Sequence, residues 1–182
     1  MRTAAVILAA GASTRFGSPK QLAPVGGRTM LDAVIALARG AGLDPVIAVV
    51  PTGVALPDDV IPVVNDEPLA GISRSLRLGI DGVPEDAVAA VILLGDQPTV
   101  AVATIRALMA TRHETAIVAA CADGRLAPPV LLQRDAFGLV DETTGDIGLA
   151  PLFARHPELV TAVDVGEHAP DVDTPHDLER LA

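Results

Sequence analysis

Short uninterrupted apolar runs alternate with helical patterns along this chain, and that alternation constrains its fold more than any other feature. Residues 4–9, 46–50, 61–64, 89–94, 116–120, 129–132 and 159–163 read as strands. Most are continuous rather than alternating runs, as expected of strands covered on both faces. Between them, residues 30–41 place Leu31, Val34, Ile35 and Ala38 on one helical face, closed by Gly40 and Gly42. Residues 72–80 and 102–112 form two further helical patterns. Residues 178–181 read as a terminal helix entered through Pro175, with Thr174 as N-cap. The alternation predicts a doubly wound, mostly parallel α/β sheet.

The core must come from small and branched aliphatics. Half of the 182 residues are hydrophobic, yet there is no Trp, no Tyr and only three Phe. A length near one domain per ~150 residues predicts a single domain over residues 1–182. The formal charge of −10 argues against extended nucleic acid, which needs a basic face. It leaves room for a small anion held by a few local cations. Cys121 is the single cysteine, so neither an internal disulfide nor a cysteine metal cluster is available, and a reducing, cytoplasmic setting is expected. The longest apolar run, about residues 88–94, falls far short of the ~20 residues of a spanning helix, so no membrane association is expected. The apolar start runs into Gly11 without a cleavage site and reads as a buried strand rather than a signal segment.

In open α/β sheets, ligands sit beyond the carboxyl ends of the strands. The loops at residues 11–21, 65–71 and 96–99 are therefore the candidate binding edges. The first follows the buried strand ending in Leu8, Ala9 and Ala10. Gly11 lets a ligand approach the backbone, while Arg15 and Lys20, the only lysine, add positive charge. It is neither a Walker A loop nor a dinucleotide fingerprint, because Gly17 is followed by Ser18 and Pro19 and no G-x-G-x-x-G occurs. The four histidines are scattered and form no H-E-x-x-H pair. Cys121 reads as a small core residue.

This loop is similar to the signature G-x-x-x-R-x-G-x-x-K of nucleotidyltransferases after an L-A-A-G strand end. Three further segments agree in order. Asn65 to Leu76 resembles N-x₅-G-x-x-x-S-L, Gly95-Asp96-Gln97-Pro98 resembles G-D-x-P, and Val172 to Asp177 resembles the closing D-x-D-T-P-x-D. Together they resemble the molybdenum-cofactor nucleotidyltransferase-like family, including molybdopterin cytidylyl- and guanylyltransferases. The resemblance implies a Rossmann-like nucleotidyltransferase fold and Mg²⁺-dependent transfer of CMP or GMP from a nucleoside triphosphate to a phosphorylated acceptor, with pyrophosphate released. L-A-A-G favours CTP over GTP. Molybdopterin is the implied acceptor and a molybdoenzyme the implied client.

Carried over by position, the resemblance gives Leu8, Ala9, Ala10 and Gly11 to nucleobase and ribose binding. Arg15 and Lys20 hold the triphosphate, Asn65 and Ser75 line the nucleotide pocket, and Asp96 and Asp173 bind Mg²⁺. Arg15, Lys20 and Asp96 form the catalytic set. The chemistry agrees independently, since nucleotidyl transfer needs positioning and charge neutralisation rather than a protein nucleophile. Mg²⁺ takes one or two carboxylates plus phosphate oxygens and water. Other readings stay open by residue type. Asp96 could be a turn residue, Asp173 a helix cap or part of a solvated acidic face, Asn65 a turn support, and Ser75 part of a helix start.

The acceptor half departs from the family. Where relatives carry G-H-P this chain has Ala127-Pro128-Pro129, and where they carry G-D-K-G-A-R it has Gly145-Asp146-Ile147-Gly148-Leu149-Ala150. A histidine and two cations are thereby absent, with Arg74, Arg77, Arg125 and Arg134 as candidate substitutes. Two alternatives follow. One is transfer to a sugar phosphate or another small phosphate. The other is a nucleotide- or cofactor-binding chaperone without catalysis.

Overall fold

The computed structural model describes residues 2–11, 16–17 and 19–180. Seven strands form one sheet: β1 (Arg2–Leu8), β4 (Val46–Val50), β5 (Val60–Val64), β6 (Ala87–Leu94), β7 (Ile117–Ala122), β8 (Arg125–Gln133) and β9 (Val160–Asp164). Their order is β5-β4-β1-β6-β8-β7-β9. Strand β8 runs against both neighbours, while the other six share one direction. The sheet is therefore mostly parallel, as expected. The reversal of β8 follows from the two-residue turn at Asp123 and Gly124, both at positive φ, which folds β7 directly back on itself.

Burial on both faces explains the continuous apolar runs. In β1, Ala5 and Ile7 join one core cluster, and Ala4, Val6 and Leu8 join the other. Successive side chains point to opposite faces, so a strand covered twice must be apolar throughout. Helices α1 (Met30–Ala41) and α3 (Val102–Thr111) cover the first face. Helices α2 (Ile72–Asp81) and α4 (Ala150–Arg155), with a 3-10 segment at Arg134–Glu142, cover the second. Helix α1 starts at Thr29, whose hydroxyl accepts from the Asp32 amide, and ends at Gly42 with φ +89°. Gly79 lets α2 lie close to the sheet, since a Cβ there would meet Val49 at 3.0 Å and overlap Val6.

Elements absent from the sequence expectation include the small hairpin β2 (Pro24–Val25) and β3 (Arg28–Thr29), helix α4, and the Arg134–Glu142 segment. The terminal helix also differs. It is α5 (Pro175–Glu179), starting three residues earlier than expected, and residue 181 lies outside the described residues. Pro175 suits the first helical position because its missing N–H would have had no helical partner there. The Thr174 cap is present as a full capping box. Its hydroxyl accepts from the Asp177 amide at 3.3 Å, and the Asp177 carboxylate accepts from the Thr174 amide at 2.8 Å. The same carboxylate accepts from the Asp173 amide at 3.2 Å, so the cap also fixes the backbone at Asp173. Thr174→Ala is expected to cost about 1 kcal/mol, read as a lower urea midpoint at unchanged slope.

No helix among the described residues is long and apolar enough to cross a membrane.

Candidate functional site

The parallel strands bring their carboxyl ends to one edge, and the functional side chains gather there. Gly95 follows β6, and its amide donates to the Leu8 carbonyl at 2.9 Å. A Cβ on Gly95 would stand 2.7 Å from that of Ala9, so only glycine lets the ends of β1 and β6 meet this closely. Asp96 comes next and turns into the opening. Asp173 arrives from the far edge of the sheet, on the segment that returns between β9 and α5. Its register is set by the Val172 amide, which donates to the Asp96 carbonyl at 2.9 Å.

Lys20 joins the two carboxylates. Its Nζ lies 2.6 Å from Asp96 Oδ2 and 3.2 Å from Asp173 Oδ1. The lysine and Asp96 side chains are only 18% and 19% exposed, which shields this pair from solvent screening. Burial works against the ammonium. The hydrogen bond and charge of Asp96, followed by those of Asp173, outweigh it and hold the Lys20 pKa above the ordinary lysine range. The stabilisation is therefore fully present at neutral pH and is lost only as pH rises through that elevated value.

The cavity over this cluster measures about 470 Å³. Its walls include Leu8, Ala9, Ala10, Gly11, Lys20, Ser75, Asp96 and Asp173, eight of the residues expected from sequence. Arg15 lies outside the described residues. Asn65 is corrected in one respect: it is 1% exposed and stands behind the wall rather than lining it. Its amide donates to Ser75 Oγ at 2.9 Å, and its Oδ1 accepts from the Glu67 amide and from Arg74 Nε, each at 3.0 Å. Asn65 thus shapes the loop and orients Ser75.

The wall also contains two residues of the segment set against G-D-K-G-A-R that were not assigned to the nucleotide pocket. Gly145 and Asp146 border the cavity. The Gly145 carbonyl accepts from the Ser73 amide at 3.1 Å, and Asp146 Oδ1 accepts from the Ile72 amide at 3.2 Å. Both therefore cap the first turn of α2. Gly71, at φ +89° and ψ 171°, carries the chain into α2 against the Gly145 carbonyl, where a Cβ would collide with backbone. Gly71→Ala is expected to lose about 2 kcal/mol or more of stability, because nothing but glycine suits that conformation and the collision adds to it. A thermal melt checks this, and an unchanged midpoint would mean that the Gly145 loop does not pack there.

The candidate replacement cations are mostly committed elsewhere. Arg134 donates to the carbonyls of Ala87 and Pro84, at the opposite end of β6 from the cavity. Arg77 donates to the Thr143 carbonyl. Arg74 binds Asn65, Asp66 and Glu67. Arg125 is exposed at the start of β8.

Two further polar groups adjoin the carboxylates. Gln97 is 5% exposed, and its Nε2 donates to Asp171 Oδ1 at 2.9 Å and to the Ala169 carbonyl at 3.4 Å. Asp171 is exposed as a residue, but its bonded edge rests on that buried amide. Burial, and next the charge of Asp96, raise its pKa. Neither residue stood out in the sequence. Gln97 sits in a turn, and Asp171 sits among five acidic residues between positions 164 and 177.

Among the described residues, no group of three or more His, Cys, Asp or Glu side chains could hold a metal alone. Asp96 and Asp173 nevertheless converge on one cation, the Lys20 ammonium. Two carboxylates beside an open cavity suit a hard divalent ion that takes its other oxygens from phosphate and water. Among the described residues, no nucleophile–base pair lines the cavity. What the arrangement offers is charge placement: a cation, two anions, and a backbone edge at Leu8 to Gly11.

Known proteins are similar to this chain in fold and sequence. The crystal structure of Rv0371c from Mycobacterium tuberculosis H37Rv superposes with a TM-score of 0.86 at 34% identity, covering 100% of this chain and 97% of that one. A manganese complex of Rv0371c matches with a TM-score of 0.82, covering 100% of this chain and 98% of that one. Among curated proteins, the purine catabolism protein PucB of Bacillus subtilis is 27% identical over 201 residues, covering 97% of this chain and 94% of that protein. The bifunctional protein GlmU of Hyphomonas neptunium is 38% identical over 119 residues, 59% of this chain. The match spans only about a quarter of GlmU's length. Residues 5–160 match the model of the MobA-like NTP transferase domain, and the chain belongs to that family.

Proposed function

We propose that residues 1–182 act as one nucleotidyltransferase domain that moves a nucleoside monophosphate, CMP in preference to GMP, from a triphosphate to the phosphate of a molybdopterin-type acceptor. The observation that carries this reading is the Lys20 ammonium held between Asp96 and Asp173 at the mouth of the cavity. The Leu8 to Gly11 backbone edge receives base and ribose, with Ser75 oriented by Asn65 behind it. Lys20 and Arg15 hold the triphosphate. Asp96 and Asp173 hold Mg²⁺, which when bound neutralises phosphate charge and polarises the α-phosphoryl group.

An acceptor phosphate oxygen attacks the α-phosphorus in line. The new P–O bond forms as the bond to the β-phosphate oxygen breaks, and pyrophosphate leaves with that electron pair. The acceptor is already an anion, so no side chain has to remove a proton. Lys20 supplies a donor and a charge to the phosphates as pyrophosphate develops. This explains how a chain of net charge −10 serves a polyanion: the positive field is local.

The test is pyrophosphate release from a panel of nucleoside triphosphates with Mg²⁺ and molybdopterin. Turnover with CTP above GTP is expected. No turnover with any triphosphate, in an assay where a related transferase works, would sink the proposal. A second reading keeps the chemistry with a different small phosphate, such as a sugar phosphate, as acceptor. It is favoured by the segment at residues 145–150, where Ile147 and Ala150 stand in place of the lysine and arginine of G-D-K-G-A-R. Acceptor screening at fixed CTP separates the two. Triphosphate binding without turnover on any acceptor would instead favour a cofactor chaperone.

A further inference from the structure

We propose that Gln97 is a positioning residue of the metal site, acting through Asp171 to hold the strap that carries Asp173 in register with Asp96. The inference rests on the reading of Asp96 and Asp173 as the metal carboxylates.

The two carboxylates come from segments that share no element. Asp96 follows β6 near the middle of the sheet, and Asp173 sits on a strap, residues 165–174, that returns from edge strand β9. Their separation must be set by what ties the strap down. One tie is the bond from the Val172 amide to the Asp96 carbonyl, with the Val172 side chain buried beside Ala23 and Met30. The α5 cap holds the far side of the strap through the Asp173 amide. On the near side the tie is the Gln97 side chain, adjacent to Asp96, whose Nε2 reaches Asp171 Oδ1 and the Ala169 carbonyl. The strap is thus held on both sides of Val172. Asp171 takes the amide, Val172 enters the core, and Asp173 faces Lys20.

The chemistry of position 97 agrees. Both partners of Nε2 are acceptors, so the amide orientation is fixed. That orientation leaves Gln97 Oε1 buried with no partner among the described residues. An apolar side chain would avoid this cost, so stability does not call for a glutamine here. A lysine or arginine could grip Asp171, but its charge would compete with a metal for the neighbouring carboxylates. A neutral amide donor holds Asp171 and leaves their negative charge available.

Mn²⁺ binding to the full chain without nucleotide tests this, measured by calorimetry and by the electron paramagnetic resonance of free Mn²⁺, with a thermal melt alongside. Gln97→Met keeps the volume and removes the donor. Asp171→Ala removes the acceptor and a charge, whereas Asp171→Asn removes the charge but keeps an acceptor. We expect Gln97→Met and Asp171→Ala to weaken Mn²⁺ about 10–100-fold, the range for a group that orients a metal ligand, with Asp171→Asn closer to wild type. The Gln97→Met melting temperature should hold, which separates positioning from bulk stability. Mn²⁺ affinity within about twofold of wild type in both Gln97→Met and Asp171→Ala would overturn the proposal. Should Gln97→Met not fold, equal affinity in Asp171→Ala and Asp171→Asn overturns it alone. Asp96→Asn and Asp173→Asn are the controls: wild-type Mn²⁺ binding in both would reject the metal reading itself.

Discussion

Replacing Asp96 by Asn is expected to lower turnover by about 10³-fold while leaving the fold intact. Loss of a metal-binding carboxylate forfeits several kcal/mol of transition-state stabilisation, and ~4 kcal/mol corresponds to three decades in rate. The fold survives because the strap is tied to the backbone of residue 96: the Val172 amide donates to its carbonyl, which the substitution keeps. Pyrophosphate release across a range of Mg²⁺ concentrations measures the effect. The Mg²⁺ dependence should move to higher concentration, and Mn²⁺ alone should bind more weakly. A variant that keeps turnover within tenfold of wild type at every Mg²⁺ concentration would take Asp96 out of the metal site.

Lys20→Ala produces the second large effect, and its two readouts move in opposite directions. Turnover falls about 10²–10³-fold, the usual result of removing one donor aimed at developing charge. Mn²⁺ binding in the absence of nucleotide tightens instead. The ammonium sits on Asp96 and Asp173 at 2.6 and 3.2 Å, so it competes with any cation for the same oxygens. A lysine that leaves those carboxylates as metal and triphosphate arrive serves both states with one charge. If turnover is unchanged, Lys20 has no role in transfer. If Mn²⁺ binding weakens alongside turnover, the lysine supports the carboxylates rather than competing for them.

Much of the sheet was legible because burial on both faces writes strands as unbroken apolar runs. The stretches at 4–9, 46–50 and 89–94 fall within a residue or two of β1, β4 and β6. Strand direction was not legible in those runs. Residues 129–132 alone carry no direction, and the reversal of β8 lies in the Asp123-Gly124 hairpin turn, a signal in the sequence that the strand pattern by itself does not use. Helix α4 was hidden by its brevity and by Pro151, with Leu152 as its one buried side chain. At the site, Lys20, Asp96 and Asp173 stood out because each lies in a spaced motif, and the structure brings them together. Gln97 did not stand out, since a glutamine before proline in a turn carries no pattern, and its partner Asp171 is one acid among several. Asn65 was legible as a special residue, but motif reading could not tell lining the pocket from bracing its wall. Only the three hydrogen bonds of its amide distinguish these.

Lys20 and Asp173 touch across a sequence separation of 153, and Lys20 and Asp96 across one of 76. Such contacts are among the last a folding chain can make, because the loops they close must first be closed by the sheet. The charge cluster therefore has no counterpart in any partly assembled form that lacks the far edge strand. A ligand that needs all three groups binds the finished molecule alone, and by mass action it draws the population toward that state. A triphosphate bound as proposed would recognise only chains whose returning strap has already been laid across the sheet.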